Sequence, residues 1–462
     1  MRGVTTEPDP LEHLGAAVRG RVVLPTHAGW DEARQGWNLA VDQRPAAVVE
    51  AADAEDVHAV VRIATQTGLR VAPQSTGHGA EALGPLDGAL LLKTSAMRDI
   101  AVDPGARVAK VGAGALAADV AAAAGEHRLA PVLGLAPSVG VAGLTLGGGI
   151  GWLSRSYGLA ANNVRALDVV LASGERRRVD ADAEPELFWA LRGGGGRAAI
   201  VTALELELHP VDQVSAGMLV WPAEHVGEVL GRFRAWTQQA PESLSAVFRY
   251  LAVPDLEEVP PPLRGRRVVA IIAAHLGTEA DGRALVEPLR ASGETLVDTF
   301  GPVGPGDLVR VAGDPDQPAP ARGDGFLLDD LTVELVEAIA GLVSGDALAP
   351  LGVLELRHLG GALGRAPVGH GALASLAADY SFFAGGPAFD DATRVAIGDR
   401  IDGLRTRLAP WTGRQALLNV AAAGVDPSLA FGVDGWERLR RARDEYDPDR
   451  LLLVAHDPSH LP

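Results

Sequence analysis

Residues 134–151 read GLAPSVGVAGLTLGGGIG, and this glycine-rich segment is the most informative stretch of the 462-residue chain. Two shorter segments of the same kind flank it, PQSTGHG at residues 73–79 and RGGGG at residues 192–196. Glycine is needed where the backbone takes positive φ or approaches a ligand closely. Rows of free backbone N–H groups at such places hold phosphate oxygens. The three segments together predict a site for a phosphate-bearing ligand.

Two common nucleotide sites do not fit this pattern. No segment gives a strand, then G-x-G-x-x-G, then a helix with an acidic residue about twenty positions further on, so a Rossmann site is disfavoured. No Gly-Lys-Ser/Thr occurs, which excludes a P-loop.

His78 stands between Gly77 and Gly79 in the first of these segments. An imidazole flanked by glycines is sterically open, and beside a phosphate-binding loop it is placed to act as a nucleophile towards a cofactor. The alternatives are a hydrogen-bonded loop histidine and a metal ligand. No second histidine or carboxylate lies at ligand spacing, so we predict no metal site.

Composition narrows the class of protein. Apolar residues make up 47% and charged residues 22%, as in folded globular proteins. The net charge of −18 disfavours binding to nucleic acid or to an anionic membrane. The chain has no Cys, which removes disulfides, thiolate nucleophiles and Cys-ligated metals. No apolar run is long enough to span a membrane, and residues 1–20 show no signal peptide, so we expect a cytoplasmic protein.

The order of predicted elements indicates an α+β protein in more than one unit. In the first part, helices and strands alternate; a helix over residues 53–67 begins at the N-cap Asp53 and ends at Gly68. After residue 213, strands at 248–253 and 268–276 and helices at 326–341 and 396–408 predict an antiparallel sheet covered by helices.

These segments resemble the FAD-linked oxidases of the vanillyl-alcohol-oxidase fold, in the branch of berberine-bridge-like enzymes. PQSTGHG is similar to the family's pyrophosphate loop with its flavin-linking histidine, and SVGVAGLTLGGGIGWLSRSYGLAANN to its second FAD loop. The segments at 27–38, 44–46 and 187–196 also match, as do Leu418-Asn419 and 446–449.

Four departures from the family pattern bear on the chemistry. Ala136 stands where many relatives carry a second, cysteinyl flavin link, so only the histidyl link is expected. Arg197-Ala198-Ala199 replaces the usual Asn-Phe-Gly, so that turn must differ. Leu417 occupies the position of a tyrosine that often serves as the base, and His456 that of a flavin-contacting asparagine.

The resemblance implies FAD, covalently linked through His78, in a two-part PCMH-type FAD-binding domain (1–212, with 418–462 returning to it). An antiparallel-sheet substrate domain (213–417), covered by helices, would complete the chain. The cofactor-binding residues that the resemblance implies are Gln74, Ser75, Thr76, Gly77, His78, Gly79, Pro137, Val139, Gly140, Gly143, Gly147, Gly148, Ile150, Gly151, Ile200, Val201, Asn419, Tyr446 and His456.

The implied activity is oxidation of a small organic molecule (an alcohol, an amine or a natural-product intermediate), with flavin reoxidation by molecular oxygen. A dehydrogenase with another acceptor and a flavin-binding scaffold without redox turnover are the alternatives. We expect a monomer or homodimer. Tyr380 is the preferred catalytic base and His358 the second candidate; an amine substrate would need no base. Alternation predicts that Glu355 and Arg357 share one face of their strand, opposite Leu356 and His358.

Overall fold

The computed structural model describes residues 10–344 and 347–457, so residues 1–9 and 458–462 of the predicted FAD-binding parts lie outside the description. The helices are α1 (Pro10–Ala17), α2 (Trp30–Arg34), α3 (Ala54–Thr67), α4 (Ala80–Leu83), α5 (Ala117–Gly125), α6 (Val141–Leu146), α7 (Ser154–Tyr157), α8 (Pro185–Leu191), α9 (Val226–Thr237), α10 (Glu279–Arg290), α11 (Val333–Val343), α12 (Asp391–Leu408) and α13 (Ser428–Tyr446). None of the helices in the described parts of the chain has the length and apolar character that a membrane span requires.

The strands form two groups that follow one another along the chain. The first group is β1 (Arg21–Val23), β2 (Ala47–Glu50), β3 (Arg70–Gln74), β4 (Ala89–Lys93), β5 (Ile100–Asp103), β6 (Val108–Gly112), β7 (Leu129–Ala130), β8 (Val164–Val170), β9 (Arg176–Asp180), β10 (Ile200–Glu207) and β11 (His209–Pro210). The second is β12 (Val214–Pro222), β13 (Leu244–Ala252), β14 (Arg267–Leu276), β15 (Val297–Asp298), β16 (Gly301–Pro302), β17 (Ala321–Leu328), β18 (Val353–His358) and β19 (Tyr380–Pro387).

Two sheets in the first group carry the first and the third glycine segment. A four-stranded sheet has the order β1-β2-β4-β3, with β2, β4 and β3 parallel. A five-stranded antiparallel sheet has the order β5-β6-β10-β8-β9. The first glycine segment begins within β3 and continues beyond it, and the third lies between α8 and β10. Both segments are therefore anchored to regular structure.

The second group forms one eight-stranded antiparallel sheet, in the order β15-β12-β14-β13-β18-β19-β17 with β16 beside β12. One face packs on α9, α11 and α12 through Phe248, Leu356 and Phe382. The opposite face packs on Leu135 and Trp152, in and beside the second glycine segment. Sheet membership thus changes between β11 and β12, near the predicted boundary at residue 212, while the division into domains stays a prediction.

The helix predicted over residues 53–67 is confirmed as α3, because its end signals are local. The Asp53 side chain accepts hydrogen bonds from the backbone N–H groups of Glu55 and Asp56. Gly68 ends the helix with φ of 70°. Left-handed backbone of this kind is common in glycine at helix C-termini.

The helix predicted over residues 326–341 is wrong in its first part. Phe326 to Leu328 belong to β17, where Phe326 pairs with Phe382 of β19, and helix α11 begins only at Val333. A short apolar run fits a buried strand and a buried helix equally well. The Thr332 side chain accepts from the backbone N–H of Leu335, which fixes the true helix start.

Candidate cofactor site and active site

The first glycine segment holds His78 in a fixed position. A Cβ on Gly77 would lie 2.6 Å from the Cα of Gly36, and Gly77 has φ of 81°, so the chain needs glycine there. The His78 ring stacks on Trp37 with 4.4 Å between ring centroids. Its Nδ1 lies 2.8 Å from the Thr76 hydroxyl oxygen. Trp37 belongs to the family-like segment at 27–38, but no local motif predicts this stacking.

Burial lowers the pKa of His78 to about 4. Desolvation disfavours the charged form of an imidazole, so His78 is neutral at physiological pH. A neutral imidazole keeps a nitrogen lone pair and is nucleophilic. The local environment is therefore compatible with bond formation to a cofactor.

The second glycine segment contacts the first and the C-terminal part of the chain. A Cβ on Gly140 would lie 2.6 Å from the Ser75 hydroxyl oxygen. The backbone N–H of Gly149 donates to Asn419 Oδ1 at 3.0 Å, and Asn419 Nδ2 donates to the Leu144 carbonyl at 3.1 Å. These contacts bring together residues predicted from three separate segments.

The other predicted cofactor-binding residues of the second glycine segment lie in its turns. The carbonyls of Pro137 and Val139 accept from the first residues of α5. A Cβ on Gly143 would meet no atom within 4 Å, whereas a Cβ on Gly147 would lie 2.6 Å from Asn419 Nδ2. Gly148 has φ of 117°. The glycines at 147 and 148 are therefore required by close packing or by backbone conformation.

The third glycine segment contacts the second, and the C-terminal part of the chain contacts the residues after the first. Gly195 donates from its backbone N–H to the Leu146 carbonyl, and Ile200 and Val201 begin β10, paired with β8. The backbone N–H of His456 donates to the Ala82 carbonyl, next to the first segment. The Tyr446 hydroxyl instead donates to Glu184 at 3.1 Å, at the start of α8. The predicted role of Tyr446 in cofactor binding therefore gains no support from this hydroxyl contact.

Several buried polar atoms around these segments have no hydrogen-bond partner among the described residues. They are Trp37 Nε1, Gln74 Oε1, Ser75 Oγ, Thr145 Oγ1 and His456 Nδ1. Unsatisfied buried donors and acceptors are rare in native proteins and call for a ligand or water. A ligand with phosphate, hydroxyl and ring polar groups matches this mixture of donors and acceptors, so the residues present fit FAD. No group of three metal-binding side chains occurs in the described part of the chain.

The sheet face opposite the helices carries a buried ion network above the second glycine segment. Arg249 contacts Glu355 at 2.6 Å and Asp314 at 2.8 Å, and Arg357 contacts Glu355 at 2.8 Å. Burial opposes ionisation of Glu355, but the charges of Arg357 and Arg249 outweigh it and hold its pKa at about 2. On the same face, the Ser245 hydroxyl donates to the Trp152 carbonyl at 2.7 Å.

Alternation correctly predicted that Glu355 and Arg357 share a face, since both join this network. Neither Arg249 nor Asp314 was predicted as a site residue. Their roles depend on the pairing of β13 with β18, where Arg249 stands opposite Glu355. That register is set by residues far apart in the chain, and no local motif marks it.

Tyr380 lies on the helix-covered face of the sheet, away from the ion network. Its side chain is 2% exposed and belongs to the core beneath α9 and α11. The hydroxyl lies 2.6 Å from the Thr237 hydroxyl, and burial raises the pKa of Tyr380 to about 12. This environment argues against Tyr380 as the base.

His358 lies closer to the second glycine segment. It lines a small cavity with Ile150, Gly151 and Arg357. Arg155 donates from Nη1 to His358 Nε2 at 3.1 Å, while His358 Nδ1 is buried without a partner among the described residues. Burial, followed by the charge of Arg155, lowers the pKa of His358 to about 3. His358 is neutral and a weak base.

Leu417 leaves no base at the position where the family often has a tyrosine. Its side chain is 1% exposed and packs in an apolar cluster with Leu327, Leu359 and Leu373. Asn419, two residues later, still contacts the second glycine segment. The backbone position is therefore kept while the ionisable group is absent.

Comparison with known proteins agrees with this geometry. A family model described as an FAD binding domain matches residues 45–180. The chain is 30% identical over 285 residues to (R)-6-hydroxynicotine oxidase of Paenarthrobacter nicotinovorans, covering 62% of this chain and 61% of that protein. The matched part spans between 30% and 61% of the length of four curated relatives, this oxidase among them.

Solved structures share the fold over nearly the whole chain. The crystal structure of 6-hydroxy-D-nicotine oxidase from Arthrobacter nicotinovorans has a TM-score of 0.82 at 23% identity, covering 95% of this chain and 98% of that one. Glucooligosaccharide oxidase from Acremonium strictum, described with a 6-S-cysteinyl, 8α-N1-histidyl FAD, has a TM-score of 0.83 at 21% identity, covering 97% and 99%. The chain therefore carries an FAD-binding domain. Its fold is the vanillyl-alcohol-oxidase (PCMH-type) fold that FAD-linked oxidoreductases such as 6-hydroxynicotine oxidase and the berberine-bridge-like enzymes share.

Proposed function

We propose that this chain is an FAD-linked oxidase that carries its flavin on His78 and oxidises a small organic molecule, with oxygen as the final electron acceptor. The three glycine segments and the 418–457 part of the chain would hold the cofactor, and the eight-stranded sheet would cover the substrate. When bound, FAD supplies the two-electron oxidation. We also propose the division into an FAD-binding domain (1–212 and 418–462) and a substrate domain (213–417).

The observation that carries this proposal is the setting of His78. Its ring is fixed by Trp37 and by Thr76, is neutral, and follows a loop that contacts the second glycine segment. Glucooligosaccharide oxidase, which shares the fold, is described with a histidyl FAD. Since the chain has no Cys and Ala136 replaces the residue of the second link, His78 would be the single point of attachment.

We favour an amine as the class of substrate. Tyr380 faces the helices, Leu417 is apolar, and His358 is a weak base, so these three positions offer no strong proton acceptor. Oxidation of an alcohol needs proton removal from the hydroxyl, whereas a neutral amine has a lone pair that assists hydride loss. One relative is named as an oxidase of 6-hydroxynicotine, which is itself an amine.

The test is to mix the purified yellow protein with panels of amines and alcohols without oxygen and to follow the loss of flavin absorbance. Bleaching by an amine, followed by rapid recovery and hydrogen peroxide formation when oxygen is admitted, is the expected result. Bleaching without reoxidation by oxygen would indicate a dehydrogenase instead. Failure of every compound to bleach a fully loaded flavin would favour a scaffold without redox turnover. Bleaching by alcohols alone would refute the amine assignment.

A further inference from the structure

A cavity of about 290 Å³ is lined by helix α13, by Arg450 and Asp457 beyond that helix, and by Arg197. Four of the described residues that line it are arginines, Arg197, Arg440, Arg443 and Arg450, and one is Asp457. None of its described lining residues belongs to the first or the second glycine segment. The cavity is thus separate from the first two glycine segments, whereas Arg197 directly follows the third.

Arg197 is a buried residue in the lining of this cavity. Its side chain is 2% exposed, and its guanidinium lies 5.3 Å from the centre of the Trp436 ring. Nη2 donates to the carbonyls of Ala455 and His456 at 3.0 Å each, but Nε and Nη1 are buried without a partner among the described residues. Buried donors without an acceptor are costly, and those of a charged group more so.

The charges around Arg197 do not balance. Arg443 pairs with Asp457 at 2.9 Å, and Arg450 pairs with Asp444. Burial, followed by the like charge of Arg443, lowers the pKa of Arg197 to about 10. Neither Arg197 nor Arg440, which stands exposed at the cavity mouth, forms an ion pair within the described residues. Asp457 acts on Arg197, and Asp444 on Arg440, only from beyond ion-pair distance. Within the described residues, two guanidinium groups without a direct ion pair therefore face one cavity, and the buried one has two nitrogen donors left for an anion.

We propose that this cavity binds a phosphate group, either as the free ion or as the monoester of a small molecule. Guanidinium groups match phosphate oxygens in geometry and form charge-assisted hydrogen bonds with them. The bound group would accept from Nε and Nη1 of Arg197 and from Arg440. It would thereby tie the third glycine segment to helix α13 beside the C-terminal segment. Because the chain as a whole is acidic, at −18, general attraction would not draw phosphate to it.

Isothermal titration calorimetry on the protein as purified tests this proposal. The probes are inorganic phosphate and glycerol 3-phosphate, each compared with sodium chloride at equal ionic strength. Binding of either probe above the chloride background is expected, and the stronger of the two identifies the free ion or the monoester as the ligand.

Three variants separate the cavity from general electrostatic attraction. Arg440→Gln should weaken phosphate binding by about fivefold to tenfold, because it removes an exposed charge-assisted contact. Arg441→Gln removes the same charge from the same helix, but Arg441 does not line the cavity, so less than about a twofold change is expected. Arg197→Gln should abolish phosphate binding. If that variant does not fold, the difference in phosphate affinity between Arg440→Gln and Arg441→Gln decides whether the cavity binds phosphate.

The proposal is overturned if neither probe binds more strongly than chloride, or if the variants at 440 and 441 weaken binding equally. It also fails if a folded Arg197→Gln protein keeps its phosphate affinity. Loss of flavin from that variant, without phosphate binding by the wild type, would assign Arg197 to the cofactor instead. The outcome does not depend on the oxidase activity, so the two proposals can fail separately.

Discussion

Replacing Tyr380 by Phe distinguishes a catalytic from a structural tyrosine. The change removes one hydroxyl, which lies 2.6 Å from the Thr237 hydroxyl in the core under α9. Thr237 keeps hydrogen bonds to the carbonyls of Phe233 and Arg234. A buried neutral hydrogen bond contributes about 0.5–1.5 kcal/mol, so we expect a loss of unfolding free energy of that size. The ring itself stays packed against Phe233, with centroids 6.3 Å apart.

The rate of flavin reduction should respond differently. Loss of a general base typically slows a reaction by about 10²–10⁴. Because Tyr380 lies on the face of the sheet away from the ion network, we expect Tyr380→Phe to change the reduction rate by less than about threefold. The assays are urea unfolding and anaerobic stopped-flow absorbance with a substrate from the bleaching panel. Flavin content of both proteins serves as the control.

A reduction rate slowed by about 10² or more, at unchanged flavin content, would restore Tyr380 as the base and refute the placement argued from the sheet. His358→Gln is the parallel variant. If only that variant slows reduction, His358 takes the proton. If neither does, oxidation without a protein base, as for an amine, is supported.

Three further predictions concern other parts of the molecule. Arg249→Met should destabilise the protein by about 3–5 kcal/mol in urea unfolding, because Glu355 and Asp314 lose their shared buried partner, and adding Glu355→Met should recover part of that loss. Ala136→Cys should create a second covalent bond, between the new cysteine and the flavin, which would change the absorption spectrum of the denatured protein. If no such bond forms, the second glycine segment lies away from the flavin ring. The pKa of His358 is depressed to about 3, because its surroundings disfavour the charged form. The contribution of His358 to the free energy of unfolding is therefore complete above the ordinary pKa of 6.5 and is lost as pH falls towards 3. Between pH 6.5 and pH 5 this loss is about 2 kcal/mol, and His358→Gln should remove it; an unchanged pH dependence would contradict the assignment.

Features set by neighbouring residues were predictable from the sequence. Asp53 and Gly68 bound α3 as expected, because a helix cap and a left-handed stop are interactions within a few residues. The glycines around His78 mark a loop for the same reason. The family resemblance implied that the first and second glycine segments bind one FAD, and the Gly140–Ser75 packing brings the two segments together.

Features set by pairing of distant strands were not predictable. The run from Phe326 to Leu328 became a strand because β19 pairs with it, which no local signal shows. Tyr380 was the preferred base, but the helices that cover its face of the sheet are distant in sequence. The role of Arg249 was not predictable for the same reason, because its partner Glu355 stands on another strand. Long-range register thus brings His358 opposite Tyr380 and Arg249 opposite Glu355.

The attachment of flavin to His78 is the central claim, and the mass of the denatured protein tests it most directly. The protein is precipitated with acid, washed, and analysed intact by mass spectrometry beside His78→Ala. We predict that the wild-type chain carries the mass of one FAD, that its pellet stays yellow, and that the His78→Ala chain has the mass of the polypeptide alone. A wild-type chain that releases all its flavin into the supernatant would contradict the claim.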